Sequence, residues 1–484
     1  MKKTNFILLS ILAILFSSCI MKDGSFYYEN IGSYEAGYMY GEKYKDHGEN
    51  PFIMVTDEPI STFSVDADGG SYTNMRRYMY LGQVPPPASV RIEEYLNFFT
   101  YDYDEPQNGE NVSLNSEIST CPWNADHHLM RIGMKGKSIP LANLPNSNYV
   151  FLIDVSGSMD SPDKIGVLKK GFMTLVDNLR PNDKIAIVTY AGNAGVLLES
   201  TNGSEKNKIK NAISNLKAGG STAGAEGIVT AYKIAMQNFI QDGNNRVILG
   251  TDGDFNVGIS STEELIKLIE EKRNSGIYLT VLGVGGGNLN DHMMEQIANK
   301  GNGNYEYIDN QSQIKKVFVD EISKFYTVAK DGKIQIEFNP EMVTSYRLIG
   351  YENRKLDTED FEKDSTDAGE IGAGQTITAI YEIKLANKNK NENYAQFDFR
   401  YKKPNEDESR LLEHQISSKP RQILQASENM RFATAVAGFG LLMKDSEYKG
   451  TASKAMIIDL AKSALSYDPN GYRTEFIDLI KKDW

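Results

Sequence analysis

The sequence predicts an α/β fold built around a doubly wound parallel sheet, preceded by a small N-terminal α/β region and followed by a C-terminal antiparallel β domain and a terminal helical segment. Between Asn148 and Tyr326, short apolar segments alternate regularly with longer segments that carry an apolar stripe. The short segments are typical of buried parallel strands, and the stripes are typical of amphipathic helices. Because parallel strands are joined by right-handed helical crossovers, this alternation predicts a Rossmann-like sheet with helices on both faces.

The chain begins with a targeting segment. Lys2 and Lys3 give it a positive start, Phe6–Phe16 form an apolar core too short for a mature membrane-spanning helix, and two serines precede Cys19. This arrangement resembles a bacterial lipoprotein signal, in which residues 1–18 are removed and Cys19 is lipidated. The resemblance implies a protein of the bacterial cell envelope that is lipid-anchored to a membrane, expected to be the outer membrane, on its periplasmic or surface face. An ordinary cleaved secretory signal is the alternative.

Composition narrows the classes of partner. The 484 residues carry a net charge of −13 without a basic cluster, which argues against binding to nucleic acid or to anionic lipid headgroups. The chain has only two cysteines. If Cys19 carries lipid, Cys121 has no partner, so we expect no disulfide framework and a buried Cys121. Residues 19–50 are rich in Gly, Tyr and charge, and they predict a flexible tether.

Residues 51–146 predict a separate small α/β domain. Its expected elements are strand Ser61–Val65, helix Ser71–Leu81, a helical pattern over Ile92–Phe99, and strands Asn111–Thr120 and His127–Met134. Within it, Asp66 and Asp68 resemble the start of a calcium loop or the nucleophile motif of haloacid-dehalogenase-type phosphatases. A calcium loop fails because no glutamate closes it at the twelfth position, and the region is too short for a phosphatase domain. We therefore predict an ordinary Asp/Gly turn here.

Residues 147–327 form the predicted central domain. Its expected elements, in order, are strand Tyr149–Ile153, helix Asp163–Leu179, strands Lys184–Tyr190 and Val196–Leu198, helices Glu205–Leu216 and Ala223–Phe239, strand Arg246–Leu249, helix Thr262–Asn274, strand Tyr278–Val284, helix Leu289–Asn299, strand Asn304–Ile308 and helix Gln311–Phe325. Glycines 283 and 285–287 follow a late strand and do not open a G-x-G-x-x-G helix start, and no phosphate-binding loop is present. We therefore expect no nucleotide ligand.

After Asp331 the pattern changes to a period of two, which predicts an antiparallel β domain over residues 328–420. Its expected strands are Lys333–Phe338, Val343–Gly350, Gln375–Leu385 and Ala395–Tyr401. Residues 421–484 are predicted to be helical. The apolar run Ala433–Met443 is too short and too interrupted by glycine to cross a membrane, so it is predicted to pack in a core.

The first strand of the central domain ends in a loop whose chemistry suits a hard divalent cation. Asp154, Ser156 and Ser158 place one carboxylate and two hydroxyls after the strand, at the edge of the sheet where ligands bind. Gly157 allows a tight bend between the serines. Mg²⁺ prefers oxygen ligands and tolerates few carboxylates. The alternative is that these side chains merely cap the helix that follows.

The segment DVSGSM resembles the metal-ion-dependent adhesion site (MIDAS) of von Willebrand factor type A domains. That family also uses a threonine from a later loop and an aspartate after a later strand. Thr222, in KAGGSTAGAEG, and Asp252, in RVILGTDGDF, stand in the corresponding order. The resemblance implies that Ser156, Ser158 and Thr222 supply neutral oxygens, and that Asp154 and Asp252 act directly or through water.

The same resemblance implies Mg²⁺ as the expected cation, with Mn²⁺ or Ca²⁺ possible, and an open coordination position that a carboxylate of a protein partner occupies. Glu226 and Asp254 are candidates for a second layer of contacts around the ion. Their alternatives are a solvated residue on a helix face and a turn cap, respectively.

The flanking segments resemble a bacterial lipoprotein family in which a von Willebrand A domain lies between two domains of unknown function. The resemblance is carried by STFSVDADGGSY, PPPASVRIEEYLNFFTYDY, CPWN, YRLIGYENR and AGEIGAGQTITAIYEI, and it covers nearly the whole mature chain.

Three functional hypotheses follow from these patterns. The chief one is a non-enzymatic binding module that holds protein ligands through the metal. The second is an envelope or assembly scaffold in which the metal only stabilises the loops. The third is a metal-dependent hydrolase, which would need a general base beside the metal. No histidine lies near the three site segments in sequence, and only His292 follows a neighbouring strand.

Overall fold

A computed structural model describes residues 35–37, 41–191, 193–220, 224–254, 262–273, 275–386 and 393–484. The predicted signal with Cys19 and most of the tether lie outside the described residues, as does Thr222. The first part of the described chain contains β1 (Glu35–Gly37), β2 (Lys43–Lys45), β3 (Ile53–Met54), β4 (Ile60–Ser64), α1 (Gly70–Tyr80), α2 (Ile92–Asn97), β5 (Val112–Thr120) and β6 (His128–Gly136).

The central segment alternates strands and helices as the sequence predicts. It contains β7 (Ser147–Asp154), α3 (Ile165–Asn178), β8 (Lys184–Ala191), β9 (Asn193–Asn202), α4 (Lys206–Ser214), α5 (Gly224–Gln237), β10 (Asn244–Thr251), α6 (Thr262–Arg273), β11 (Tyr278–Val284), α7 (Asp291–Lys300), β12 (Tyr305–Ile308) and α8 (Gln311–Lys315). The predicted last helix, Gln311–Phe325, is broken: after α8 the backbone continues as a π-helical turn and then a 3₁₀ turn.

The six strands of this segment form one sheet in the order β12-β11-β10-β7-β8-β9. Alternate residues of β7 enter different cores: Phe151 stacks on Phe172 of α3, with ring centroids 4.1 Å apart, whereas Leu152 packs with Ile228 of α5. Helices therefore cover both faces, which confirms the doubly wound architecture.

The edge strand β9 differs from the expected all-parallel arrangement. It pairs antiparallel with β8, over Asn193–Asn202 rather than only Val196–Leu198. Only one residue separates the two strands, and a parallel pair needs a crossover of a dozen residues or more, so antiparallel pairing follows.

The C-terminal part contains β13 (Thr327–Phe338), β14 (Val343–Ile349), β15 (Gly369–Gly372), β16 (Thr376–Leu385), β17 (Ala395–Lys402), β18 (Arg410–Ile416), α9 (Glu428–Met443), α10 (Lys454–Lys462) and α11 (Tyr472–Ile480). Strands from both flanking segments share two five-stranded sheets, with β4 paired to β13 and β6 paired to β16. Although β5 and β6 of the N-terminal segment pair with each other, the segment predicted as a separate domain thus shares its sheets with the C-terminal strands. Its short strands are completed by partners about 270 residues away in the chain, and local patterns do not specify such partners.

The helices at both ends of the chain pack together. Helix α9 is almost wholly buried, in part against α2, and the ring of its Phe432 lies 5.8 Å from that of Phe476 in α11. Its apolar run is therefore core packing, as the sequence predicts. Within the described ranges, no helix is long and apolar enough to cross a membrane. Cys121 is buried in the same core, and burial raises the pKa of its thiol to about 12.

Helix α1 covers the β12 edge of the central sheet. The Thr73 hydroxyl donates to the Tyr307 carbonyl oxygen at 2.8 Å, and Arg76 forms an ion pair with Asp309 at 2.6 Å. The predicted Asp/Gly turn before α1 also takes part in a buried ion-pair network. Asp68 N–H donates to Asp66 Oδ1 at 2.9 Å, and both carboxylates bind Arg354. The N-terminal segment is therefore attached to the central domain by buried polar contacts.

Candidate metal centre

The centre lies where β7, β10 and β11 end. Parallel pairing sets Ile153 beside Gly250, and Gly250 beside Leu282, so the loops that leave these strands adjoin at one edge of the sheet. Strands β7 and β10 are buried along their whole length, the middle of each is apolar, and each ends in a polar residue. The sequence therefore folds so that its candidate ligands collect at this edge.

Asp154, at the end of β7, is fully buried and its carboxylate is fixed by three hydrogen bonds. Ser156 N–H donates to Oδ1 at 2.9 Å, while the hydroxyls of Thr251 and Tyr190 donate to Oδ2 at 3.0 and 3.3 Å. Burial raises the pKa of Asp154 to about 6, the bonds from Ser156 and Thr251 oppose the rise, and the nearby charge of Asp252 adds to it. A cation at this position would relieve the repulsion between the two carboxylates.

The two serines present their hydroxyls together. Ser156 Oγ and Ser158 Oγ lie 3.0 Å apart, with Ser156 buried and Ser158 exposed. The loop that leads to Thr222 is tied to this turn, because Gly157 N–H donates to the Gly220 carbonyl at 3.1 Å. Thr222 itself lies outside the described residues, so its predicted role stays a prediction.

Asp252, just after β10, is also fully buried. Asp254 N–H donates to its Oδ1 at 3.1 Å, and both the Lys164 ammonium and the Asn288 amide donate to its Oδ2 at 3.0 Å. Asp254 is half-buried, and Glu226 is exposed on the first turn of α5.

The donor set fits a hard divalent cation. It combines two buried carboxylates with two hydroxyls 3.0 Å apart, and oxygen ligands with few charges are what Mg²⁺ prefers. Within the part of the chain that the structure describes, no group of three or more His, Cys, Asp and Glu side chains could hold a metal ion. A metal centre here therefore depends on the hydroxyl oxygens.

Sequence reasoning missed four residues of this centre: Tyr190, Thr251, Lys164 and Asn288. The first two stand at the ends of β8 and β10, the strands that flank β7, so the strand order would have found them. Lys164 and Asn288 lie in loops, and no periodicity indicates where their side chains reach. His292, which was considered as a base, packs beside His47 with ring centroids 6.0 Å apart, and burial lowers the pKa of both rings.

Three family models match consecutive parts of the chain. Residues 148–320 match the von Willebrand factor type A domain, residues 323–483 match the C-terminal part of the uncharacterized protein YfbK, and residues 38–131 match a model described as von Willebrand factor. The uncharacterized protein YfbK of Escherichia coli K12 is 42% identical over 465 residues, covering 91% of this chain and 80% of that protein.

Other relatives cover less of the chain. The uncharacterized protein sll0103 of Synechocystis is 28% identical over 171 residues, covering 35% of this chain and 40% of that protein. Among solved structures, the von Willebrand factor type A protein from Catenulispora acidiphila matches with a TM-score of 0.45 and 16% identity, covering 78% of this chain and 91% of its own.

Proposed function

Because the chain belongs to the family of the YfbK protein, with a von Willebrand factor type A domain between family-specific segments, we propose that it binds protein ligands through a divalent-metal adhesion site on that domain. The observation that carries the proposal is the pairing of buried Asp154 and Asp252 with the Ser156 and Ser158 hydroxyls at one sheet edge. Oxygen ligands of this kind, with few charges among them, suit a hard divalent cation.

In this proposal the side chains have distinct tasks. Ser156, Ser158 and Thr222 bind the cation through neutral oxygens, and the two aspartates bind it directly or through water. When bound, the ion supplies an electrophilic position for a carboxylate of the partner. The exposure of Ser158 supports this arrangement, because the partner can approach from its side. The lipid anchor proposed at Cys19 would hold the domain at a membrane of the cell envelope.

The hydrogen bonds of the two aspartates favour a ligand-binding role over a scaffold in which the metal only stabilises the loops. Asp154 already accepts three hydrogen bonds, and Asp252 accepts three from other loop residues. The turns that carry these two aspartates are thus held by contacts within the protein. A metal whose only role was to order them would have little left to do.

The test is a calorimetric titration of the full chain with Mg²⁺, Mn²⁺ and Ca²⁺. We expect binding that Asp154→Ala and Thr222→Ala abolish without unfolding the protein. Asp160→Ala is the matched control, because Asp160 is an exposed carboxylate of the same loop. Equal metal binding by the wild type and by Asp154→Ala would disprove the site.

The partner step is tested separately. Wild type and Asp154→Ala are immobilised and offered envelope proteins with Mg²⁺ or with EDTA. We expect retention of a partner that requires both Mg²⁺ and Asp154. Retention that is the same with EDTA would rule out metal-mediated binding and favour the scaffold hypothesis.

A further inference from the structure

We propose that Lys164 makes the metal centre dependent on a partner carboxylate, because its ammonium group neutralises Asp252 and keeps the affinity for the metal alone low. This inference rests on the proposed function and specifies how that site selects its ligand. No motif or periodicity in the sequence singles out Lys164, and its role follows from where its side chain lies.

The Lys164 ammonium group lies inside the centre. It donates to Asp252 Oδ2 at 3.0 Å, to the Ser158 carbonyl oxygen at 3.0 Å and to Asn288 Oδ1 at 2.6 Å. These acceptors belong to three different loops, after β7, β10 and β11. The ammonium therefore joins the serine turn, the second aspartate and the loop before α7.

The aliphatic part of the Lys164 side chain is also fixed, by packing. Its side chain is 9% exposed, and it passes over Gly285, which has a φ of +73°. A Cβ on Gly285 would lie 2.4 Å from Lys164 Cγ, so only glycine leaves room for this path. Burying an ammonium group is costly unless it is paired, and the three acceptors provide that pairing.

The charge of Lys164 changes what the centre can bind. Among the buried side chains of the centre, the two carboxylates of Asp154 and Asp252 and the one ammonium of Lys164 leave a single net negative charge. A divalent cation then produces a net positive site, which an incoming carboxylate neutralises. Without Lys164, the cation and the two carboxylates would already balance, and a third carboxylate would gain less.

The magnitude of this effect is large enough to matter. Charges a few ångströms apart interact by several kcal/mol even at an effective dielectric constant of about 20. The neighbouring pair Arg77 and Glu42, beside Gly286, adds no net charge, because the two side chains lie 2.8 Å apart and neutralise each other. Lys164 is thus the cation that sets the charge of the centre.

The competing interpretation is that Lys164 only fastens the three loops. The two roles predict opposite effects of removing the charge. If Lys164 were only a structural tie, its loss would loosen the loops and weaken metal binding. If its positive charge instead opposes binding of the metal ion, its loss strengthens metal binding and makes that binding depend less on a carboxylate ligand.

The experiment measures Mn²⁺ binding to the full chain, with and without acetate as the simplest carboxylate, in wild type, Lys164→Met and Lys164→Gln. Methionine keeps the length of the stem, and glutamine keeps a hydrogen-bond donor. Lys170→Met is the matched control, because it makes the same charge change on an exposed position of α3.

We expect at least one folded Lys164 variant to bind Mn²⁺ alone about tenfold or more tightly than wild type, with acetate giving a smaller further gain than in wild type. Lys170→Met should match wild type. If wild type binds Mn²⁺ through Asp154 and the folded variants bind no more tightly, only this inference is overturned. If wild type and all variants fail to bind Mn²⁺, the proposed function is overturned as well.

Discussion

Removing the charge of Arg354 should loosen the attachment of the N-terminal segment to the central domain. Arg354 is buried, and its guanidinium lies 2.9 Å from Asp66, 3.4 Å from Asp68 and 3.5 Å from Glu295 of α7. In Arg354→Met, Asp66 and Asp68 both lose the guanidinium group with which they form ion pairs. Methionine fills most of the space, so the expected loss is electrostatic rather than a cavity.

The expected loss of unfolding free energy is about 3 kcal/mol. Breaking a buried ion pair on one side costs about 3–5 kcal/mol. We take the lower end, because burial and the charge of Asp66 already raise the pKa of Asp68 well above its usual range. At about 2.1 cal/mol/K per residue, the Glu35–Trp484 unit has an unfolding entropy of about 0.9 kcal/mol/K, so its melting temperature should fall by about 3 °C.

The assay is differential scanning calorimetry of the full chain. Lys355→Met is the control, since it changes the same charge at the exposed neighbouring position and should leave the melting temperature unchanged. Adding Asp66→Asn and Asp68→Asn to Arg354→Met should recover part of the loss, because the two aspartates then no longer leave buried charges without their cation. A melting temperature of Arg354→Met at or above that of wild type would refute the reasoning.

Two further predictions concern single residues. In urea unfolding, Gly285→Ala should lose about 1–2 kcal/mol more stability than Gly82→Ala. Both glycines have positive φ, but of the two only Gly285 has another side chain, that of Lys164, where a Cβ would lie. Equal losses would mean that this contact does not affect stability. Burial raises the pKa of Glu93 to about 8, above its usual 4.5. The stability that this group contributes is therefore fully present below pH 4.5 and is lost as the pH rises to about 8. In urea unfolding, the free energy of unfolding of Glu93→Gln should match that of wild type near pH 4.5 and exceed it by a few kcal/mol at pH 9. Parallel pH profiles of the two proteins would contradict this prediction.

Local patterns predicted the central domain well because each of its elements is specified within its own segment. Helix α3 and strand β7 follow from the spacing of their apolar residues alone. Strand β9 was predicted in part, but its antiparallel direction was missed because it depends on the length of the turn before the strand, and the pattern of apolar residues does not indicate that length. The broken helix after α8 was missed for a similar reason, since an amphipathic stripe continues through turns of slightly different pitch.

The flanking sheets were harder to predict because their strands pair across most of the chain. Phe63 of β4 lies opposite Ile334 of β13, and Ile132 of β6 lies opposite Ala379 of β16. Alternation of polar and apolar residues shows that a segment is a strand, but it does not identify the partner. The predicted division of the flanks into consecutive domains therefore followed the order of the sequence, whereas the sheets combine segments from both sides of the central domain.

The candidate centre was predictable as far as strand ends could be recognised. Asp154 and Asp252 each follow a buried strand, and the structure brings them to one edge with Ser156 and Ser158. Lys164 could not be predicted, because it precedes a helix and reaches its acceptors only through a path over Gly285. Its contribution depends on tertiary packing that no segment of the sequence specifies alone.

The candidate metal centre and the flanking segments are connected through one helix. Asn290 caps the start of α7, and its N–H donates to the Asp252 carbonyl oxygen at 3.3 Å. Further along α7, Asp291 pairs with Arg91 at the start of α2, and Glu295 pairs with Arg354. Because the same short helix contacts the second aspartate and both flanks, a shift of the loop when a carboxylate binds would act against these buried pairs. An isolated central domain would lose the contacts that hold α7 in position beside Asp252.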